Sequence, residues 1–579
     1  MSQALLSRAQ ALHQGGRLEE ARAAYEQTLS ADPNSAEALH LLGYLWFQKG
    51  DAVRGAELIG RAIDLKPTNP GYRYNRALIL QQTGQFEAAA ADFQQVAALT
   101  PADVGAWEGL GETLLSLGRA EEALQAYDRG LALKPDSPEL NSNRGVALRV
   151  LGRLDEAMIA QDRALAANPR YPEGWSNRGN VLKDLDRLHE ALESYDRALV
   201  LHPQMVQALV NRANVLRELA RMPEALAGYD RAVALTPHYP EAHHHRAVLM
   251  LDMQRPTEAA AGFDRAMALR QPYPEAEVAR AMALLQGGDF VRGLPLYETR
   301  TLFGPAATQD RPRWLGREPI AGQTVLVWAE QGLGDTLQFC RYAPLLAAQG
   351  ARVVLQVQAP LMPLLRGLTG VEAVIGPNQT PPPFDHHIPL LSLPLALGTR
   401  PGAIPAPAAY LQPDPARVQA WSARLGPATR KRIGLVWSGA AGHRNDRHRS
   451  MTLARLLAAL PEGFEYIGLQ QEVRAHDQAT LEAHPQVRSF SRDLNDFTDT
   501  AALICLMDAV VSIDTSIAHL AGALGKDVRL LLARIGQDWR WMTEGAETPW
   551  YPSMRLYRQG EDNDWAGPLR AVAADLAEL

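Results

Sequence analysis

The stretch AWEGLGETLLSLGRAEEALQAYDRGLALKP, residues 106–135, holds two amphipathic segments separated at Gly118 and closed by Pro135. Apolar and small residues recur at helical spacing in each segment, and a proline cannot continue a helix. The stretch therefore predicts a helix, a tight turn, a second helix and a stop. The same frame runs through the first half of the chain. Pro33, Pro67, Pro101, Pro135, Pro169, Pro203 and Pro237 stand 34 residues apart, and Gly16, Gly50, Gly84, Gly118 and Gly152 keep that interval. Small residues keep it at Gly43, Ala77, Gly111, Gly145, Gly179, Ala213, Ala247 and Ala281. A fixed period of this length means stacked copies of one helix pair. We read eight copies from about residue 2 to residue 273 and a ninth, incomplete one ending near Gly304.

In the second helices a small residue precedes a ring by four positions, as in Ala21 and Tyr25 or Ala123 and Tyr127, which puts both on one face for close helix contact. The whole pattern resembles the tetratricopeptide repeat family. That resemblance implies an all-α, right-handed superhelix whose first helices line a concave groove able to hold an extended peptide. At one place in successive first helices stand Asn75, Asn143, Asn177, Asn211 and then His245, with Asn180 and Asn214 three residues further along two of them. An amide offers a donor and an acceptor together, so a column of amides can pair with a peptide backbone whatever its side chains. The column resembles the asparagine ladder of the protein O-GlcNAc transferase family, although Leu41 and Gly109 interrupt it here. The alternative reading is that these amides cap turns or bond between repeats. Arg144, Arg178, Arg212 and Arg246 follow the column directly and are expected to pair with acids of adjacent second helices.

At 579 residues, with 46% hydrophobic and 21% charged residues, the chain has the composition of an ordinary globular protein of more than one domain. Its formal net charge of −7 gives no reason to expect nucleic acid or an anionic membrane as partner. The two cysteines, Cys340 and Cys505, lie in apolar segments and predict neither a disulfide framework nor a zinc site. No signal peptide and no membrane span are expected, and the protein is read as cytoplasmic.

After the connector GPAATQDRPRWLGREPIAG the period changes. TVLVWAE reads as a buried strand, QGLGD as a turn, TLQFCRYAPLLAAQG as a helix and ARVVLQVQ as the next strand. PGAIPAPAAYLQPDPARV reads as a linker, and a second alternating set starts at RKRIGLVWSG. We expect three domains, residues 1–304, 305–412 and 413–579, with the last two forming an α/β region whose ligands bind at the carboxyl ends of strands.

Three clusters fall at strand-to-helix junctions. In QGLGD, Gly332 and Gly334 allow close backbone approach beside Asp335, but Leu337 replaces the third glycine of a dinucleotide site. The plain alternative for Asp335 is a cap of a helix beginning at Thr336. In WSGAAGHRNDRHRSMTL, Ser438 and Gly439 precede His443, Arg444, Arg447, His448 and Arg449, a positive concentration suited to phosphate. In SIDTSIAHLAGALGK, Asp514, Thr515 and Ser516 open a helix with His519 one turn in, and could hold phosphates. Asp562-Asn563-Asp564 reads as a solvated turn, and the adjacent His386 and His387 of an extended segment point to opposite faces, so no metal site is expected.

GDTLQF, GLVWSG with its basic loop, and VSIDTSIAHLAGALGK resemble segments of the ADP-heptose:lipopolysaccharide heptosyltransferase family, which has the two-lobed GT-B fold. EQGLGDTLQFCRYAPLL and DWRWMTEGAETPWYPSMRLYRQ are similar to bacterial proteins in which tetratricopeptide repeats precede such a domain, and some relatives modify flagellin with nonulosonic sugars. The resemblance implies a metal-independent hexosyl-, heptosyl- or nonulosonyl-transferase with a nucleotide-sugar as co-substrate and no cofactor. It makes Asp335 the base. The donor would be held by Gly332, Gly334, Ser438, Gly439, Arg447, Arg449, Gln470, Gln471, Asp514, Thr515, Ser516 and His519. Ser516 stands where heptosyltransferases usually have glycine. The expected acceptor is Ser or Thr of a polypeptide, with flagellin the leading single candidate. Two other readings stay open: a non-catalytic scaffold with a degenerate transferase domain, and an enzyme acting on a glycan. Homo-oligomerisation also stays open.

Overall fold

The computed structural model describes residues 2–303, 311–443 and 445–579, so the expected boundary at 304/305 and Arg444 of the basic loop lie outside the described residues. The chain divides into two compact units, Met1–Leu219 and Ala220–Leu579.

The first unit is all-α. Helices of 13 and 14 residues alternate from Ser2–Gln14 and Leu18–Ala31 to Leu188–Leu201 and Val206–Glu218. Each second helix stops two residues before the repeating proline; Ala120–Leu133, for example, ends with the Lys134 N–H bonded to the Gly130 carbonyl. The turn within each pair is left-handed. Gly16, Gly50, Gly84, Gly118 and Gly152 have φ between 73° and 91°, a region glycine enters without a Cβ clash. Asp186 holds the next such position at φ 59°, so the backbone shape persists where the glycine does not.

The small residues serve close packing. A Cβ on Gly111 would lie 2.5 Å from the Tyr127 ring and one on Gly179 2.7 Å from the Tyr195 ring, and both rings are fully buried. Where Gln161 replaces the ring, its Oε1 accepts from Ser142 Oγ at 3.0 Å and its Nε2 donates to the Ser142 carbonyl at 2.9 Å. That leaves no polar penalty in the core. Arg144, Arg178 and Arg212 pair with Asp128, Asp162 and Asp196 of the preceding second helices at 2.6, 2.9 and 2.5 Å. Such surface pairs contribute about 0–1 kcal/mol each.

The second unit begins with repeat helices Met222–Leu235, Pro240–Asp252, Pro256–Leu269, Pro274–Gln286 and Phe290–Tyr297. Ala220 and Gln254 keep the left-handed turn at φ 60° and 61°. The last helix is short, carries Pro295, and runs into a 3-10 turn, Glu298–Phe303. An α/β region follows. Strands β1 (Thr324–Trp328), β2 (Arg352–Gln356), β3 (Val371–Ile375) and β4 (His386–Pro389) form a parallel sheet of order β3-β2-β1-β4. Strands β5 (Arg432–Val436), β6 (Glu465–Gly468), β7 (Val487–Ser489), β8 (Ala509–Ile513), β9 (Val528–Leu532) and β10 (Met554–Arg558) form another, of order β10-β9-β8-β5-β6-β7 and also parallel. β1, β5, β8 and β9 are buried along their whole length, as strands covered on both faces must be.

Two local expectations change. TLQFCRYAPLLAAQG is not one helix but Leu333–Phe339, a 3-10 turn Cys340–Tyr342, and Ala343–Ala348, because Pro344 has no N–H to extend the preceding turn. The stretch expected as a linker is pinned: the Tyr410 and Leu411 N–H groups both donate to the Ala523 carbonyl, at 2.9 and 3.1 Å. Its end opens the helix Pro415–Leu425, capped by Asp414.

The last repeat helices share one core with the sheets, which places them in the second unit. Phe290 meets Trp539 edge-on at 5.7 Å and stacks near Trp550 at 6.4 Å. Asp252 accepts the Gly536 N–H at 2.9 Å, and Gln254 Nε2 donates to the Arg534 carbonyl at 3.0 Å. Arg300, from the 3-10 turn, pairs with Glu330 just beyond β1 at 2.6 Å, both side chains about 5% exposed or less.

Candidate functional site

In each parallel sheet there is one place where the chain reverses the direction in which strands are added: between β1 and β4 in the first sheet and between β5 and β8 in the second. Crevices outside the carboxyl ends of strands at such points are where α/β sheets bind ligands. All three sequence clusters sit there, after β1, β5 and β8. The structure also brings them together.

The first and third clusters meet through helix Leu333–Phe339 and helix Ser516–Ala523. A Cβ on Gly334 would lie 2.8 Å from His519 Cδ2 and 3.5 Å from Ser516 Cα, so only glycine fits without displacement. Asp335 does not precede its helix as expected but lies in its first turn, since the helix starts at Leu333 with Gly332 as its cap. Asp335 Oδ2 accepts the Gly332 N–H at 2.9 Å. Its Oδ1 lies 2.6 Å from Arg540 Nη1, a close ion pair without aligned hydrogen-bond geometry. Arg540 also grips Asp538, through Nε at 2.8 Å and Nη2 at 2.5 Å. These carboxylates hold the guanidinium pKa well above its usual value despite burial.

The second and third clusters meet because β5 pairs with β8. Arg449 Nη1 donates to the Asp514 carbonyl at 2.8 Å, and a Cβ on Gly439 would strike the Arg449 guanidinium at 2.5 Å. Gly439 N–H donates to Ser450 Oγ at 2.9 Å. Arg447 is exposed on the short helix Asp446–Arg449, while buried Asp446 pairs with Arg474, outside the loop, and lies 3.8 Å from Arg449.

Around His519 the site is buried and aromatic. Its Nδ1 lies 2.9 Å from Tyr551 OH, and its ring stacks on Trp541 at 5.3 Å. Burial, then the Arg540 charge, lowers its pKa to about 3, so it is neutral at neutral pH. Asp514 Oδ2 accepts from Trp541 Nε1 at 2.9 Å. Burial, then the neighbouring Asp538 charge, pushes the Asp514 carboxyl up to about 6. Thr515 Oγ1 is buried with no hydrogen-bond partner among the described residues.

The two glutamines expected as nucleotide contacts are engaged differently. Gln470 Oε1 accepts from the Trp437 and Ser438 N–H groups at 2.7 and 2.9 Å, and its Nε2 donates to Ser438 Oγ and the Glu472 carbonyl at 2.8 and 3.0 Å. All four positions of that amide are used, so Gln470 is a strut for the end of β5. Gln471 is exposed, with Nε2 donating to the Leu494 carbonyl at 3.1 Å. Sequence reasoning assigned no role to Asp538, Arg540, Trp541, Tyr551 or Arg341. For Asp538, Arg540 and Trp541 the signal was the alternation of charge and tryptophan in DWRWM; Tyr551 and Arg341 had none.

In the first unit the asparagine column bonds between repeats. Asn75 Nδ2 lies 2.8 Å from His40 Nε2, Asn143 Nδ2 donates to Glu112 at 3.3 Å, and Asn177 Nδ2 donates to Ser142 Oγ at 3.0 Å. Asn211 Nδ2 donates to Asn180 Oδ1 at 3.0 Å, which also accepts from Tyr195 OH at 2.8 Å. Asn214 is half-buried. In the second unit His245 lies parallel to the Tyr229 ring at 6.4 Å.

Among the described residues no group of three or more His, Cys, Asp or Glu side chains could hold a metal. His387 Nδ1 accepts from Trp328 Nε1 at 3.2 Å. Asp564 pairs with Arg455 and accepts the Ala566 N–H at 2.9 Å, where the last helix starts. Cys340 and Cys505 are free, and burial raises the Cys340 thiol to about 12. Among the described residues no helix is long and apolar enough to cross a membrane.

Residues 2–70, 74–138, 128–172 and 177–240 match the tetratricopeptide repeat family. Over these residues the helix pairs are tetratricopeptide repeats. Protein FlbA of Caulobacter vibrioides is 29% identical over 334 residues, covering 51% of this chain and 54% of FlbA. The TPR repeat-containing thioredoxin TTL4 of Arabidopsis thaliana is 32% identical over 91 residues, 16% of this chain and 13% of TTL4. A solved tetratricopeptide repeat protein from Parabacteroides merdae is 18% identical, with a TM-score of 0.40, over 43% of this chain and 99% of that one. This chain thus spans about half the length of FlbA and far less of TTL4.

Proposed function

We propose that this chain is a protein O-glycosyltransferase of the two-lobed GT-B type, which moves a sugar from a nucleotide-activated donor to Ser or Thr of a polypeptide gripped by its repeats. The observation that carries the reading is the convergence of three strand-end clusters on one place, where Asp335, Arg540, Arg449 and the end of β8 meet. The acceptor hydroxyl oxygen attacks the anomeric carbon, and the carbon–oxygen bond to the donor phosphate breaks. The electron pair leaves with that phosphate, and the hydroxyl proton passes to Asp335. Arginine side chains neutralise the leaving group in this reading, and no metal is assigned to it.

The repeats supply the acceptor track. The carbonyl oxygens of Asn75, Asn143, Asn177 and Asn211 take no hydrogen bond among the described residues, so each half-buried amide keeps an acceptor for a peptide N–H. Flagellin is the acceptor we would test first, on the sequence resemblance alone, and the cytoplasm, where nucleotide sugars are made, is the compartment of the reaction.

A second reading is favoured by the engagement of both Asp335 oxygens and the saturation of the Gln470 amide: a repeat protein that binds a partner and transfers nothing. Mass spectrometry separates the two. A transferase adds one sugar mass to an acceptor protein when given the right member of a CMP-, UDP-, GDP- and ADP-sugar panel, and Asp335→Asn abolishes the addition while keeping the fold. Absence of any mass gain, with no panel member raising the melting temperature, would leave the binding reading standing.

A further inference from the structure

Arg540 is the centre of the site's electrostatics, and its two carboxylate partners are unequal. Asp538 is two residues away and is gripped through two aligned hydrogen bonds. Asp335 comes from the helix that follows β1 and meets only Nη1, at 2.6 Å and without alignment. The second contact is therefore the replaceable one.

We propose that Arg540 is the side chain that takes the donor's phosphate and that, before donor binds, it holds Asp335, so that donor binding is what frees the base for the acceptor hydroxyl. This rests on the transferase reading above. A nucleoside diphosphate carries more negative charge and more acceptor oxygens than one carboxylate, so it competes for a guanidinium on favourable terms. Two further features suit a polyoxygen ligand here. Thr515 Oγ1 lies buried without a partner beside the end of β8, and Gln338, one helical turn beyond Asp335, is fully buried with both amide atoms unpartnered among the described residues. Arg341 adds positive potential from behind: it is 3% exposed and donates to the Gln338 carbonyl at 2.7 Å, the Tyr410 hydroxyl at 3.0 Å and the Trp550 carbonyl, with no carboxylate among its described partners.

The exchange orders the reaction. With Arg540 on the phosphate, Asp335 Oδ1 is released while Oδ2 stays anchored on the Gly332 N–H, so the carboxylate remains aimed as its free oxygen accepts the hydroxyl proton. The same guanidinium then takes the charge that the departing phosphate oxygen gains as the bond to the anomeric carbon breaks.

The test is isothermal titration calorimetry of the full chain with ADP, GDP, UDP and CMP. The nucleotide that binds the parent should bind Asp335→Asn about tenfold more tightly, because the competing carboxylate charge is gone. It should bind Arg540→Gln at least about tenfold more weakly, with Arg540→Lys between them in case the glutamine variant fails to fold. Damage to the fold does not tighten binding, so the gain in Asp335→Asn is the diagnostic result. Equal or weaker binding by Asp335→Asn would overturn the coupling while leaving the transferase reading intact. Failure of all four nucleotides to bind any form would overturn both.

Discussion

Ala220 holds a left-handed backbone, φ 60°, at the position where earlier repeats have glycine. A side chain there costs about 1 kcal/mol or somewhat more, so Ala220→Gly should stabilise the chain by about 1 kcal/mol in urea denaturation. Gly118→Ala, at φ 74°, should do the reverse. Gln254 has the same backbone but is compensated, since its amide bridges the Arg534 carbonyl and Gln286. Its replacement by glycine should bring no gain. At the site, Asp514 and His519 give opposed pH dependences. Asp514 ordinarily titrates near 4, but its pKa is raised to about 6, so the folded state binds a proton between about pH 4 and 6 that the unfolded chain does not. Its ionisation therefore erodes stability as pH rises through that window. His519, lowered from about 6.5 to about 3, works the other way: the unfolded chain takes the proton, and stability is lost as pH falls. The two nearly cancel between about pH 4 and 6. Asp514→Asn removes only the first. Because the carboxyl keeps 24% of its side-chain surface, the variant should be about 1–2 kcal/mol more stable than the parent at pH 7.5. That margin should be gone by pH 4. Urea midpoints at the two pH values decide it.

Elements show where sequence reading reaches and where it stops. The 34-residue period was legible because every copy needs the same proline stop, the same left-handed turn and the same small residue under a ring. The strands were legible because double-sided burial demands unbroken apolar runs. Helix Leu333–Phe339 was not: Pro344 divides the segment, and Asp335 sits inside the first turn, details that depend on where the chain must meet its neighbours. The Asp335–Arg540 contact spans 205 positions of sequence, and no local spacing encodes it. Gly334 was noticed as a turn glycine, yet its role is to let His519 come close. Gly334→Ala should cost about 1–3 kcal/mol, because Trp541 and Tyr551 leave His519 no room to retreat. Gly402→Ala, where an added Cβ meets nothing within 4 Å, is the neutral control. Equal melting temperatures for the two variants would refute the close-approach argument.

At the scale of the whole molecule, the seam between compact units falls at Leu219–Ala220 and not where the repeats end. Phe290, Leu294 and Tyr297 belong to the core of the sheets, and Arg300 pairs with Glu330, whose carboxyl burial raises even against that cation. A fragment of residues 220–579 should unfold in one cooperative transition. A fragment of residues 311–579 should bind hydrophobic dyes and aggregate, because Trp539 and Trp550 lose their cover and Glu330 loses its cation. Phe290→Ala in the full chain should cost about 3–5 kcal/mol, read as a lower urea midpoint. If the shorter fragment melted as sharply as the longer one, the last repeats would be ornament to the sheets.

The position of that seam has a use. Copies upstream of Ala220 should be exchangeable as cassettes, whereas the helices from Met222 onward travel with the sheets. A library of chimaeras joined at this point would vary the repeat surface while every member inherits the same cluster of Asp335, Arg540 and Arg449 at the strand ends.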